Sequence, residues 1–313
     1  MKRPLAALIM AILPAMASAE SSRWVEQEVC VQDLHGTLAL PGETALVPAV
    51  LILAGSGPAD RNGNLPGMPN NSLRLLAHGL AEQGIASIRV DKRGIGASQA
   101  GVREDDLRFA TYVDDAVAWL KFLRVQSRVE RLVLLGHSEG ALVATMAAQQ
   151  AEVDALILVA GASEPAARLI AQQLAVAGLP AALQAQSRSI ADSLERGTPV
   201  ATAPPELAAL YRPSVQSYLM AWFPLDPSVE LSKVERPTLI VQGTTDLQIN
   251  VDDALRLAAA RPGSELLLIE GMNHILKEAP TGRSQNLQTY AVPDLPLAPL
   301  LVPAIARFVS ILP

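Results

Sequence analysis

Cysteine and histidine are scarce in this chain: 313 residues include one cysteine, Cys30, and four histidines, His35, His78, His137 and His274. A single thiol excludes an intrachain disulfide. Donors so few and so scattered give no ligand spacing for a structural or catalytic metal. Cys30 falls in a strand-like stretch and is expected to be packed rather than reactive. Neither G-x-G-x-x-G nor G-x-x-x-x-G-K-S/T occurs, so the 20 glycines build no nucleotide-phosphate cradle, and no cofactor is implied. Asp60-x-Asn62-x-Asn64 starts like a calcium loop, but Leu65 stands at its sixth position and Asn71 at its twelfth, where glycine and glutamate belong. Positive charge is also short: 25 Lys and Arg against 31 Asp and Glu leave a formal −6. That balance makes no electrostatic case for binding nucleic acid or an anionic membrane.

The N-terminus is different in kind. Lys2 and Arg3 precede an apolar stretch from Leu5 to Ala17, and Ala17-Ser18-Ala19 forms an A-x-A site. A charged region, a short apolar region and small residues, in that order, read as a secretory signal peptide. Residues 1–19 are expected to be removed after Ala19, with the mature chain in a periplasm or secreted. No cysteine adjoins the site to accept a lipid. Losing Lys2 and Arg3 takes the formal charge from −6 to −8. Elsewhere no apolar run reaches the ~18 residues of a membrane-spanning helix.

Half of the residues are hydrophobic, ample for one large core. Strands are expected at Trp24 to Val31, Leu34 to Leu40, Ala49 to Leu53, Ala86 to Val90, Arg131 to Leu135, Ala155 to Val159, Thr238 to Val241 and Leu266 to Ile269. Most are continuous apolar runs, as in parallel strands buried on both faces. Helical runs at Ser72 to Gln83, Tyr112 to Val125, Ala141 to Gln150 and Asp252 to Ala260 alternate with them, and a last helix is expected over about Leu297 to Leu312. The alternation points to βαβ units. From 163 to 235 no convincing strand occurs; Ala/Gln/Leu-rich helical stretches lead to a proline-rich segment and to Tyr211, Tyr218, Trp222 and Phe223.

The most informative segment is Gly136-His137-Ser138-Glu139-Gly140. It is a G-x-S-x-G between a strand-like run and a helical run, the setting of a nucleophile elbow with Ser138 at its tip. A serine hydroxyl needs a base to take its proton and a carboxylate to orient that base. In chain order the acid and then the histidine follow the serine. Only His274 lies beyond Ser138, just past the last strand. Asp246 follows the preceding strand; Asp252 and Asp253 compete but read as the first turn of a helix, where acidic residues suit the dipole. The oxyanion donors are expected to be the N–H of Glu139 and that of Ser56, with Gly57 as the fallback, in the loop after Leu53.

With these residues the chain resembles the α/β-hydrolase superfamily over nearly all of its mature length. Asp91-Lys92-Arg93-Gly94-Ile95-Gly96-Ala97-Ser98 resembles the D-x-R-G-x-G-x-S loop of many such enzymes. Gly55-Ser56-Gly57-Pro58-Ala59-Asp60-Arg61-Asn62-Gly63 resembles the G-S-G-P-x-D-R-N-G loop of a bacterial serine esterase subgroup, in which an ending M-N-H-x-L-K, here Met272 to Lys277, also recurs. No histidine precedes Gly55, a departure from the common His-Gly oxyanion motif that the subgroup shares. The resemblance implies an α/β-hydrolase fold, with an eight-stranded, mostly parallel sheet flanked by helices. Residues 20–162 and 236–313 would be the core and 163–235 a helical cap over Ser138. It also implies hydrolysis of short-chain acyl esters, small-molecule substrates.

Gly57, Asp60, Arg61, His137, Tyr218 and Trp222 are then candidates for substrate contact. Asp60 and Arg61 equally suit the fastening of a turn, and His137 suits a packed neighbour of the site. A thioesterase, peptidase or acyltransferase would use the same three residues. Haloalkane dehalogenation is disfavoured, since it needs a carboxylate where Ser138 stands. A binding protein on this scaffold would be expected to lack one of the three.

Overall fold

The computed structural model describes residues 24–42 and 46–312, so the expected signal peptide lies outside the described residues. Eight strands form one sheet: β1 (Trp24–Val31), β2 (Leu34–Pro41), β3 (Val47–Leu53), β4 (Ala86–Val90), β5 (Val129–His137), β6 (Ala155–Val159), β7 (Thr238–Gly243) and β8 (Glu265–Ile269). Their spatial order is β1-β2-β4-β3-β5-β6-β7-β8. β2 runs antiparallel to both its neighbours, and the remaining pairs are parallel.

Side chains alternate across a strand, which explains the two cores. In β3, Val50 and Ile52 join Leu73, Leu76 and Leu80 of α1 (Ser72–Glu82) and Leu301 and Ile305 of α11 (Leu301–Ser310). Leu51 and Leu53 point the other way, to α2 (Phe109–Arg124) and α3 (Glu139–Ala148). Strands covered on both sides read as unbroken apolar runs.

Between β6 and β7 the chain forms helices and no strand: α4 (Ala166–Val176), α5 (Ala181–Glu195), α6 (Ala208–Tyr211), α7 (Pro213–Trp222) and α8 (Pro227–Ser232). The prolines are helix starts. Pro165 and Pro180 precede α4 and α5, and Pro213 and Pro227 occupy the first turns of α7 and α8, where a missing N–H costs nothing. Tyr211 and Phe223 are buried with the second core, so they are packing residues. α9 (Val251–Ala260) returns to the sheet.

Three expectations are corrected. Cys30 is exposed, because β1 is the sheet's edge strand and turns most of its residues to solvent; Sγ lies 3.1 Å from Nδ1 of His35, its cross-strand partner. The last helix is shorter than expected, Leu301–Ser310. The long passage before it holds an unforeseen helix, α10 (Arg283–Gln288), whose Asn286 is buried. No helix among the described residues is long and apolar enough to cross a membrane.

Candidate active site

β5 ends in a sharp turn. Ser138 adopts φ 55° and ψ −123° between the strand's last residue and the first residue of α3. A non-glycine residue there carries strain of about 1–3 kcal/mol and persists only when its surroundings hold it. The Ser138 N–H donates to the Val159 carbonyl at 2.9 Å, and the Ala141 N–H donates to the Ser138 carbonyl at 2.9 Å. A Cβ on Gly136 would sit 2.0 Å from the Gly140 oxygen, and one on Gly140 would sit 2.5 Å from the Leu53 oxygen. The two glycines of the motif are therefore what allow β5, α3 and the end of β3 to approach so closely.

Asp246 and His274 leave the carboxyl ends of β7 and β8. Their loops cross at Gly243, where a Cβ would lie 2.0 Å from the Met272 oxygen. His274 Nδ1 donates to Asp246 Oδ2 at 2.8 Å. Asp246 Oδ1 accepts from the N–H groups of Gln248 and Ile249 at 2.7 and 3.0 Å. Burial alone would raise the pKa of Asp246. The neighbouring His274 and these hydrogen bonds outweigh it and hold the carboxyl below its ordinary value. With Nδ1–H committed to the carboxylate, Nε2 is the nitrogen free to accept a proton. The competing Asp253 is spent on structure: it caps α9 and accepts from the Ser163 hydroxyl at 2.7 Å.

Ser138, His274, His137 and Ser56 line one cavity of about 80 Å³. Ser138 also opens on a larger cavity of about 320 Å³, together with Ser56, Gly57, Glu139, Tyr218 and Trp222. Its wall is mostly apolar, and nearly half of its lining residues come from α4, α6 and α7, so the insertion walls part of the cavity that Ser138 opens on. Among the described residues no hydrogen bond joins Ser138 to His274. Such contacts commonly tighten only once substrate is in place. Glu139 opens α3, so its N–H has no acceptor within the helix and lies at the positive end of the dipole. Burial, and then the nearby His274, lowers the pKa of His137 to about 4. His137 is thus neutral at pH 7, and its Nε2–H donates to the His274 carbonyl at 2.8 Å, bracing that loop.

Asp60 and Arg61 line neither cavity. Asp60 Oδ1 accepts from the N–H groups of Asn62 and Asn64, an Asx turn. The Arg61 guanidinium pairs with buried Asp91 at 2.8 Å and with Glu28 at 2.5 Å. Both fasten the loop from below, and substrate contact is not their place.

Sequence reasoning missed Lys92, although the loop carrying it had been singled out. Its buried Nζ donates to the carbonyls of Gly55 and Gly57 at 2.6 and 2.7 Å, straddling Ser56. The same nitrogen lies 3.9 Å from the Glu139 carboxylate. The loop after β3 and the turn after β5 are thereby tied through one ammonium. Asn273 and Lys277 were likewise known only as part of a recurring ending. They pin the His274 loop: Asn273 Nδ2 donates to Thr289 Oγ1 at 2.8 Å, and Lys277 Nζ donates to the Val292 carbonyl.

The fold has counterparts. The Pyrococcus furiosus esterase Pf2001 superposes with a TM-score of 0.58 at 14% identity, over 93% of this chain and 92% of that one. Est1E from Butyrivibrio proteoclasticus gives 0.57 at 16% identity, over 91% and 99%. The chain has the α/β-hydrolase fold. A family model described as serine aminopeptidase, S33, matches residues 68–211, a stretch that includes Ser138 and stops short of Asp246. Esterase EstD of Thermotoga maritima is 26% identical over 274 residues, 84% of this chain. The chain spans 62% of that relative's length. Among the described residues no cluster of three or more His, Cys, Asp or Glu side chains could hold a metal ion.

Proposed function

We propose that this protein is a serine carboxylic-ester hydrolase acting on short-chain acyl esters. The observation that carries the reading is the strained Ser138 at the mouth of an apolar cavity, sharing a second cavity with a histidine whose other nitrogen is held by a buried carboxylate. His274 Nε2 takes the Ser138 proton as Oγ attacks the ester carbonyl. The N–H groups of Ser56 and Glu139 receive the developing oxyanion, each supplying roughly 3 kcal/mol. Asp246 fixes the tautomer and steadies the imidazolium. The proton then passes to the departing alcohol, and water, activated by the same nitrogen, releases the acid. The likeness to esterases of the same fold supports the choice of ester.

The remaining expectations belong to the same proposal. Residues 163–235 act as a cap whose apolar helices enclose the acyl chain. The mature enzyme works in a periplasm or outside the cell, after cleavage behind Ala19.

The test is hydrolysis of p-nitrophenyl esters from acetyl to palmitoyl by the mature chain, Ser138→Ala and Asp246→Asn. Activity peaking between acetyl and hexanoyl is expected, abolished in Ser138→Ala. Asp246→Asn is expected to lower kcat about 10⁴-fold, the cost of a wrong tautomer in a comparable triad. Cleavage of aminoacyl p-nitroanilides with no ester turnover would replace the reading by a peptidase one.

A further inference from the structure

Beside the larger cavity lies another, of about 250 Å³, and the two share Gly57, Pro58, Glu139, Arg212, Val215 and Tyr218 in their walls. Their chemistry differs. The first has several aliphatic side chains of the insertion in its wall, whereas the second adds Lys92, Tyr112 and Glu104. Tyr218 stands between them. Its side chain is only 8% exposed, and its hydroxyl has no hydrogen-bond partner. A buried hydroxyl left in that state costs about 1–3 kcal/mol unless something else completes it. The Glu139 carboxylate, 4% exposed, lies close by without a well-formed bond to it. Burial, with that carboxylate, raises the Tyr218 pKa well above its ordinary value, so the phenol keeps its proton.

We propose that the cavity walled by Lys92, Tyr112, Glu139 and Tyr218 is a subsite for an uncharged hydroxyl group on the acyl part of the substrate. Each charge in the wall already faces its opposite: Lys92 with Glu139 at 3.9 Å, and Glu104 with Arg212 at 2.9 Å. A carboxylate ligand would be repelled by Glu139, and an ammonium would compete with Lys92. A hydroxyl is both donor and acceptor. It gives its proton to the Glu139 carboxylate and accepts from the Tyr218 hydroxyl, completing both. The side of the ester follows from the catalytic geometry, and so rests on the esterase reading. The departing alcohol must leave toward His274, which lines the small cavity and not this one. The arm reaching past Gly57 and Glu139 therefore belongs to the acyl group.

The experiment compares ethyl hexanoate with its 3-, 4-, 5- and 6-hydroxy derivatives by pH-stat, for the mature enzyme, Ser138→Ala and Tyr218→Phe. At least one hydroxylated isomer is expected to exceed the plain ester about tenfold in kcat/KM, the size of one net hydrogen bond. In Tyr218→Phe that ratio is expected to fall toward one. Taking the ratio within each enzyme cancels any general loss, and the substitution removes a single unpartnered oxygen, so folding is not at risk. Hydrolysis of ethyl hexanoate with no preferred isomer, or a preference that survives in Tyr218→Phe, overturns the subsite while leaving the esterase reading intact. Failure to hydrolyse any ester, or hydrolysis that persists in Ser138→Ala, overturns the esterase reading and the subsite with it.

Discussion

Replacing Lys92 by methionine tests whether the loop proposed to bind the oxyanion is held by a side chain remote in sequence. Methionine keeps most of the aliphatic stem and removes the ammonium that donates to the carbonyls of Gly55 and Gly57. Hydrogen bonds to a charged donor are worth about 1.5–3 kcal/mol each. Burial lowers the pKa of Lys92, so the ammonium is desolvated at a cost that offsets part of the roughly 3–6 kcal/mol of the pair and leaves about 2–3 kcal/mol. Burial already raises the pKa of Glu139, and removing the opposing Lys92 raises it further. The loosened segment carries the Ser56 N–H. An oxyanion donor is worth about 3–4 kcal/mol in all, which caps the effect on rate.

The expected result is a fall in kcat of roughly 30- to 150-fold on p-nitrophenyl butyrate. KM should move little, because an oxyanion forms only on the way to the transition state. Lys92→Arg should resemble the methionine variant more than the wild type, since a planar fork does not fit a position between two carbonyls that a compact ammonium fills. A kcat within about threefold of wild type in Lys92→Met, in a protein with an unchanged melting profile, would refute the argument. A rise in KM at constant kcat would mean that the loop binds substrate without serving the oxyanion.

Three further outcomes follow, two of them from groups around the Ser138 turn. His137 titrates near 4 when folded and near its ordinary 6.5 when unfolded, so the unfolded chain binds more protons between those values. Stability from this group is fully present above pH 6.5 and is lost as pH falls toward 4, by about 3 kcal/mol at most. Asp246, lowered in the folded state, adds a loss only in the acid range below its ordinary 3.8. Melting temperatures from pH 7 to 4.5 should therefore fall, and His137→Asn should flatten the slope; an unchanged slope in that variant would rule His137 out as its source. Gly136→Ala should destabilise by well over 3 kcal/mol or prevent folding, because its Cβ would meet the Gly140 oxygen at 2.0 Å. Gly67→Ala, at φ 75° but with nothing within 4 Å, should cost only about 1 kcal/mol, as read by thermal denaturation.

What could be read in advance depended on local pattern. β6 is a five-residue apolar run whose ends were legible to the residue, because burial on both faces leaves no polar position to blur them; β4 has the expected ends too, although it buries Ser87 and Arg89. Asp246 was separable from Asp253 because a helix-start aspartate has a structural use, which the α9 cap displays. Cys30 misled for the complementary reason: β1 carries strand-like residues, but an edge strand need not bury them. Lys92 was beyond such reasoning, and Arg61 and Tyr218 could be named as candidates but not given their partners, since each meets residues far along the chain. Lys92 meets Gly55 and Glu139, and Arg61 meets Asp91 and Glu28, only where the ends of β1 to β5 converge. The chemistry of the candidate nucleophile is thus a local property, carried by five residues, two of them close-contact glycines. The chemistry that would select the substrate is assembled from the β3 loop, the β4 loop, the elbow and α7, and no window of sequence contains it.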